Sequence, residues 1–243
     1  MGVFRLAATI IFILSVPVAL VTTTIRFVAN EPRVYQYAID QFNGVAVTGI
    51  DRAQLLQASA EIRDYFKNDQ ETLTIHVQED GQDALLFNAR ETAHMKDVKS
   101  LLRGMDKAQE FSVIYALSYV AIVVLWAREI TPRALAMRLI GGSALCLAVL
   151  GVVGGFALTG FNSAWLDFHK IAFSNDFYLL NPATDHLIQM FPPAFWENIV
   201  FLVGLLIVAE CALLIIGSFI YLGASRHQAA QRLTARYVQT NVA

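Results

Sequence analysis

"LIGGSALCLAVLGVVGGFALT", residues 139–159, contains no charged side chain and no histidine. Crossing the hydrocarbon core of a bilayer takes about 20 consecutive apolar residues in a helix, so this stretch reads as a membrane span. Its glycines and serine, Gly141, Gly142, Ser143, Gly151, Gly154 and Gly155, permit close helix–helix approach, a packing signal that is weak taken alone. Working outward from it, three further stretches are similarly apolar. The first runs from about Leu6 to Val28, the second from about Phe111 to Ala127, and the fourth from about Asn198 to Leu222. The composition agrees. The chain has 243 residues, 56% of them hydrophobic and 16% charged, too apolar and too charge-poor for an ordinary soluble domain. A net charge of −2 provides no basic field for nucleic acid. No internal repeat or low-complexity tract is visible.

Arginine placement orients the spans. Arg128, Arg133 and Arg138 crowd the short link between the second and third spans, Arg5 precedes the first, and Arg226, Arg232 and Arg236 follow the fourth. Cytoplasmic loops carry the excess of Lys and Arg, so both termini and the short link are expected inside. The expected fold is mainly α: a four-transmembrane-helix bundle with an extracytoplasmic α(+β) cap between the first and second spans. Its parts are a first transmembrane helix over 1–28, the cap over 29–110, and spans two and three with their link over 111–159. An extracytoplasmic aromatic loop over 160–197, a fourth span over 198–222 and a cytoplasmic tail over 223–243 complete it. The first span is expected to be an uncleaved signal anchor: its apolar stretch exceeds an ordinary signal-peptide core and lacks a small-x-small exit. The expected location is a membrane, crossed several times. Cys146 and Cys211 fall inside predicted spans, so they read as small apolar residues, and CxxC zinc chemistry is excluded.

The long outer region has the signals of a folded cap. "VYQYAIDQF" and "DRAQLLQASAEIRDYF" have helical periodicity, the latter beginning at Asp51 as N-cap and placing Leu55, Leu56, Ala60 and Ile62 on an apolar side. "TLTIHVQED" and "DALLFNA" flank Gly81 as a hairpin. "RETAHMKDVKSLLRGM" returns to helical period and leads toward the second span. The shorter outer loop is dense in aromatics, including Trp165, Phe168, Phe173, Tyr178 and Trp196, residue types enriched at headgroup level. Parts of it are expected to lie on the outer leaflet as short amphipathic helices.

Two histidines stand out. Glu91, His94 and Asp97 are spaced three apart and share one broad helix face. Such a face is often merely solvated, yet a carboxylate one turn from an imidazole can orient it and raise its basicity. His169 lies among aromatics in "DFHKIAF", where a polar interface anchor is the bland alternative. Both histidines fall on the outer side, so two imidazoles from separate segments could meet over one substrate. A zinc set of His94, His169, Asp185 and His186 lacks HExxH or any close ligand spacing, and no metal is assigned. Neither a GxSxG elbow nor a P-loop is present. His76 and His227 read as structural or solvated. Glu210, inside the fourth span, must be protonated or find a polar partner, and it is assigned a structural role.

"LFNARETAHMKDVKSLL", followed by "FHKIAFSNDFYLLNPATDHLIQMFPPAFWEN", resembles the four-span bacterial family of lipoprotein intramolecular transacylases, and the similarity extends over nearly the whole chain. The resemblance implies an acyltransferase that uses no cofactor. The sn-2 acyl chain of an S-diacylglyceryl cysteine would move to that cysteine's own α-amino group, giving an N-acyl, S-monoacylglyceryl (lyso-form) lipoprotein. Its partners would be diacylglyceryl-modified bacterial lipoproteins and membrane lipids, and its active site would lie on the outer face. Carried over residue by residue, the catalytic histidines are His94 and His169. Glu91, Asp97 and Asn175 occupy supporting motif positions. Among the interface-type aromatics, Phe168, Phe173 and Tyr178 are the expected lipid contacts. The chain departs from the family pattern at Ala172-Phe173, where an aromatic doublet is expected, and at Phe177-Tyr178, where a Trp often follows the Asn. These positions bear on lipid contact more than on chemistry. Two other readings remain: a non-enzymatic membrane protein whose cap binds a lipid or partner, and a zinc-dependent membrane hydrolase.

Overall fold

The computed structural model describes residues 2–79, 81–126 and 131–242, without the side chains of 124–126, 229, 230 and 232–242. Arg128 and Ala127, used above to orient and bound the second span, lie outside the described residues, as do the side chains of Arg232 and Arg236.

The chain is mainly helical. In order it forms α1 (Gly2–Asn30), α2 (Pro32–Gln41), α3 (Gly44–Thr48) and α4 (Arg52–Lys67). Next come the strands β1 (His76–Glu79) and β2 (Gln82–Leu85), then α5 (Ala89–Tyr119), which continues as a π-helical stretch over Val120–Trp126. After it come α6 (Pro132–Thr159), α7 (Phe161–Ala172), α8 (His186–Met190) and α9 (Pro193–Val242). Among the described residues, three helices are long and apolar enough to cross a membrane: α1, α6, and α9 over Pro193–Gln228. The stretch expected as a second span is no separate helix: it continues α5, and its described part ends at Trp126. The tail expected after residue 222 is a helical extension of α9.

The chain divides into two compact units, one of residues 1–21, 109–151 and 206–243, the other of 22–108 and 152–205. The first unit is held by shape. Phe12 stacks on Tyr119 at 4.5 Å between ring centroids, and with Val16 these side chains form a buried cluster. Tyr115 donates to the Ala8 carbonyl at 2.9 Å, and the Tyr119 hydroxyl bonds both Thr9 and Arg138. Gly142 is where α6 meets α1: a Cβ there would lie 2.7 Å from the Val16 Cβ. The small residues of α6 thus do bring helices close, at this one position; at Gly141, Gly151, Gly154 and Gly155 a Cβ would meet nothing within 4 Å.

The second unit has a conventional core. The Asp51 carboxylate caps α4, accepting from the backbone N–H groups of Ala53 and Gln54 at 2.8 and 3.1 Å, which satisfies two donors the first turn leaves orphaned. Leu55, Ala58, Ile62 and Tyr65 of α4 are buried together with Ile39 and Ala38 of α2. The hairpin is antiparallel, pairing His76 with Leu85 and Glu79 with Gln82. Gly81 adopts φ 77° at its turn, a backbone that glycine enters without a Cβ penalty. The 160–197 segment contains two short helices, α7 and α8, and α8 packs on α3.

Candidate active site

Both candidate histidines lie in the second unit. His94 sits in the second turn of α5 and His169 near the end of α7. Their rings approach to 5.8 Å between centroids, inclined by 35°. His169 Nδ1 lies 2.7 Å from the Trp165 carbonyl oxygen, one turn earlier in the same helix. A carbonyl only accepts, so Nδ1 carries the proton and Nε2 of the neutral ring has a free lone pair. His94 is 8% exposed, and its Nδ1 has no hydrogen-bond partner among the described residues. Burial pushes the His94 pKa down to about 4, with neighbouring His169 acting the same way and Asp97 opposing. Burial lowers His169 too, against the Trp165 carbonyl. Both rings are therefore neutral near pH 7.

Aromatic side chains surround the pair. Phe173 lies 5.1 Å from His94 and 5.6 Å from His169. Tyr178 lies 5.0 Å from His169, Phe168 5.3 Å, and Trp165 4.9 Å, edge to face. Trp196 stacks on Trp165 at 5.2 Å. The three expected lipid contacts thus all touch His169, and Phe168 is 42% exposed.

The supporting residues act on the backbone. Glu91, 1% exposed, makes no bond to His94. One carboxylate oxygen accepts from the Asn88 N–H at 2.7 Å, the other from the Leu187 N–H at 2.6 Å. Burial raises its pKa, while these two N–H groups oppose the rise. Asn88 answers in kind, its side-chain oxygen accepting from the N–H groups of Arg90 and Glu91. This reciprocal capping box starts α5, while the Leu187 bond ties that start to α8. Asp97 accepts from the Asn175 amide at 2.9 Å, and Asn175 accepts from the Phe177 N–H at 3.0 Å. The turn between Phe173 and Tyr178 is thereby fixed to α5.

Further bonds run the same way. Arg90 donates to the carbonyls of Asp176 and Leu179. Asp185 accepts from the Asn88 amide, the Thr184 hydroxyl and the Asn181 N–H. His186 Nδ1 donates to the Leu86 carbonyl at 2.8 Å. Asp185 and His186, weighed above as metal ligands, are engaged in these bonds, and among the described residues no group of three or more His, Cys, Asp or Glu side chains could hold a metal ion. His76 pairs with Asp83 across the hairpin at 2.9 Å, and His227 bonds Gln231 on α9. Sequence reasoning missed Asn88 and the carbonyl of Trp165. The first was readable in "NARE" as an N-x-x-E capping box; the second acts through its backbone and leaves no residue-type signal.

Fold and site together describe a membrane-integral helical protein in which two neutral imidazoles, from two separate helices, meet inside an aromatic surround. Residues 10–196 match the sequence profile of the lipoprotein intramolecular transacylase Lit family, and the chain belongs to that family. No curated protein sequence matches. Among solved structures, the membrane-integral lipoprotein intramolecular transacylase Lit from Bacillus cereus superposes with a TM-score of 0.78 at 18% identity, over 94% of this chain and 100% of that one. A variant of that protein with one histidine replaced by arginine gives 0.74 at 17% identity, over 93% and 96% of the two chains. A variant with a histidine-to-alanine replacement gives 0.74 at 17%, over 93% and 97%. At these identities the likeness is one of fold.

Proposed function

We propose that this protein is a lipoprotein intramolecular transacylase with His94 and His169 as its catalytic pair. The substrate is a bacterial lipoprotein bearing an S-diacylglyceryl cysteine. The cysteine's α-amino nitrogen attacks the sn-2 ester carbonyl, the N–C bond forms, the C–O bond breaks, and the sn-2 oxygen leaves as a hydroxyl. The product is the N-acyl, S-monoacylglyceryl form. The observation that carries this reading is the approach of the two imidazole rings to 5.8 Å in a chain of this family.

The shift replaces an ester by an amide and is downhill, so the barrier lies in proximity and proton transfer. An α-amino group has a reference pKa of about 8 and attacks only when deprotonated. His169, its Nδ1–H tied to Trp165, offers Nε2 as the base. The proton His169 takes from the amine is the one delivered to the sn-2 oxygen: His94, neutral at rest, receives it from His169 and passes it on, because an imidazolium buried beside a second histidine gives its proton up readily, and both rings end neutral as they began. Holding amine and ester together can be worth about 7–11 kcal/mol, and the rings of Phe168, Phe173 and Tyr178 supply an apolar wall for the chains. Glu91, Asp97 and Asn175 support the pair by holding the backbone on either side of it.

The proposed topology has four spans, the second over residues 111–127, which begins within α5. Both termini are cytoplasmic, the 29–110 cap and the 160–197 segment are outside, and the site lies on the outer face of a bacterial cytoplasmic membrane. The arginine distribution supports it. Labelling of a cysteine placed at Thr131 by an impermeant reagent from outside would contradict it.

The activity test mixes diacylglyceryl lipopeptide with an excess of isotope-labelled phospholipid. The expected product equals the substrate in mass, and its N-linked chain carries no label. Label on the amide nitrogen, or a product heavier by one chain with its sn-2 ester intact, would make the protein a phospholipid-dependent N-acyltransferase instead.

A further inference from the structure

Residues 41–50, "QFNGVAVTGI", carry no charge although Asp40 and Asp51 flank them. The loop is closed at its base by Arg52, which grips Asp40 through two bonds of 2.8 Å. Within the loop, Asn43 at φ 53° and Gly49 at φ 73° bracket α3, both in the left-handed region. Thr48 donates to the Gly44 carbonyl at 2.7 Å, and its hydroxyl accepts from the Ile50 N–H. Gly44, Thr48 and Ile50 are buried, while the tip presents Val45 at 41% and Val47 at 50% exposure. The result is a closed, uncharged turn with an apolar exposed side, held by the Val47 N–H to the Asn43 carbonyl, the Gly49 N–H to the Val45 carbonyl and the two Thr48 bonds.

The base of this turn joins an apolar surface that continues into a spanning helix. Tyr37 and Phe42 meet edge to face at 5.7 Å, and Phe42 meets Phe195 at 6.2 Å. The Tyr37 hydroxyl accepts from the Asn198 amide at 2.9 Å. One turn along α9 the exposed residues are Phe201 and Leu202, and another turn further Leu205, at 66% exposure. Asn198, Phe201, Leu202 and Leu205 share one helix face by their spacing, and α9 over Pro193–Gln228 is apolar enough to span a bilayer. Tyr37 and Phe42 sit where that face turns from apolar to polar, the level at which tyrosine concentrates in membranes.

We propose that the α2–α3 projection is a membrane-inserted wedge: Val45 and Val47 enter the outer-leaflet hydrocarbon beside α9, with Tyr37 and Phe42 at the headgroup level. The occupant of this surface is the bilayer. The face is continuous with the surface that α9 presents to lipid, and of the charges nearest to it in sequence Asp40 is paired with Arg52 while Asp51 is turned into the cap of α4. Apolar faces of interfacial helices reach about 5–10 Å below the headgroups, and a single-turn tip needs no more.

The test uses the full chain reconstituted in phosphatidylglycerol–phosphatidylcholine bilayers, with a nitroxide on Val47→Cys and, separately, on the exposed α4 position Gln57→Cys. Buried Cys146 and Cys211 stay in place, and the unsubstituted chain serves as the labelling control. Oxygen partitions into hydrocarbon and a water-soluble nickel chelate does not. The label at 47 should collide more with oxygen than with the chelate, and the label at 57 the reverse. Equal chelate access at both positions would place the tip in water and overturn the proposal. A label at 47 that neither quencher reaches would put it under protein, such as a second copy, and overturn it equally. The same spectra in detergent report whether each variant keeps its fold.

Discussion

The unit containing Phe12, Tyr119 and Gly142 and the unit containing the two histidines are held together by different means. In the first, helices meet through ring stacking and one glycine-thin contact, and the other α6 glycines within it, Gly141 and Gly151, face open space. Hydrocarbon offers no hydrophobic drive between helices, so shape decides. In the second, polar side chains reach across the sequence to backbone groups: Glu91 to Leu187, Arg90 to Asp176 and Leu179, His186 to Leu86. Shape tolerates change at most positions and fails at one. A bonded network is sensitive wherever a donor would be stranded. A reactive pair brought by two separate helices requires the second kind of construction, because ring placement there depends on where the backbone is pinned.

The largest effect is expected at the rings themselves. His94→Ala and His169→Ala should each lower turnover by about 10²–10⁴-fold while the melting temperature in detergent changes little, read by lipopeptide mass spectrometry beside a thermal melt. Unchanged turnover in either would separate ring proximity from function.

Next comes the latch. Glu91→Ala strands the buried N–H of Leu187, at a cost of about 1–3 kcal/mol, and removes the part-buried bond to the Asn88 N–H. A marked fall in melting temperature should follow, with activity lost alongside. Glu91→Gln, which can still accept one of the two bonds, should lose less.

Third is acid. The folded-state pKa of His94 is depressed to about 4 from 6.5, so the folded protein holds this ring neutral while the unfolded chain would protonate it. Its contribution is intact above pH 6.5 and disappears as the pH falls toward 4, up to about 3 kcal/mol at 1.36 kcal/mol per pH unit. Melting temperatures at pH 7 and pH 5 should differ in the native chain and differ less in His94→Gln.

Gly142→Ala tests the other unit. Its Cβ would meet Val16 at 2.7 Å, an overpacking expected to cost about 1–3 kcal/mol. Gly151→Ala, with nothing within 4 Å, should be neutral or better, since Ala exceeds Gly in helices. Smallest of all, His76→Ala removes only an exposed pair with Asp83, and exposed pairs contribute about 0–1 kcal/mol.

What could be read in the sequence follows the range of the interaction responsible. Absence of charge marked α6, and the Asp51 cap and the Gly81 turn marked α4 and the hairpin, because each is settled within a few residues. The spacing of Glu91, His94 and Asp97 correctly placed them on one helix. It misdirected the role of Glu91, whose partners are its own capping box and an N–H 96 positions away. Helix α3 was missed: "GVAVT" is too short for periodicity, and its ends depend on left-handed turns at Asn43 and Gly49. The His94–His169 approach was reachable only as a consequence of topology, since nothing local to either residue encodes it.

Burial of both imidazoles has one more consequence. Two rings neutral at rest, flanked by phenyl, phenol and indole groups, carry no monopole of their own, and the charge acting on His94 is that of Asp97, whose carboxylate accepts from the Asn175 amide. A long-range field from anionic headgroups or from ionic strength therefore has no charge on the resting rings to act on. Such a centre senses lipid charge chiefly through the proton activity at the membrane surface, which sets how much of an incoming amine arrives unprotonated.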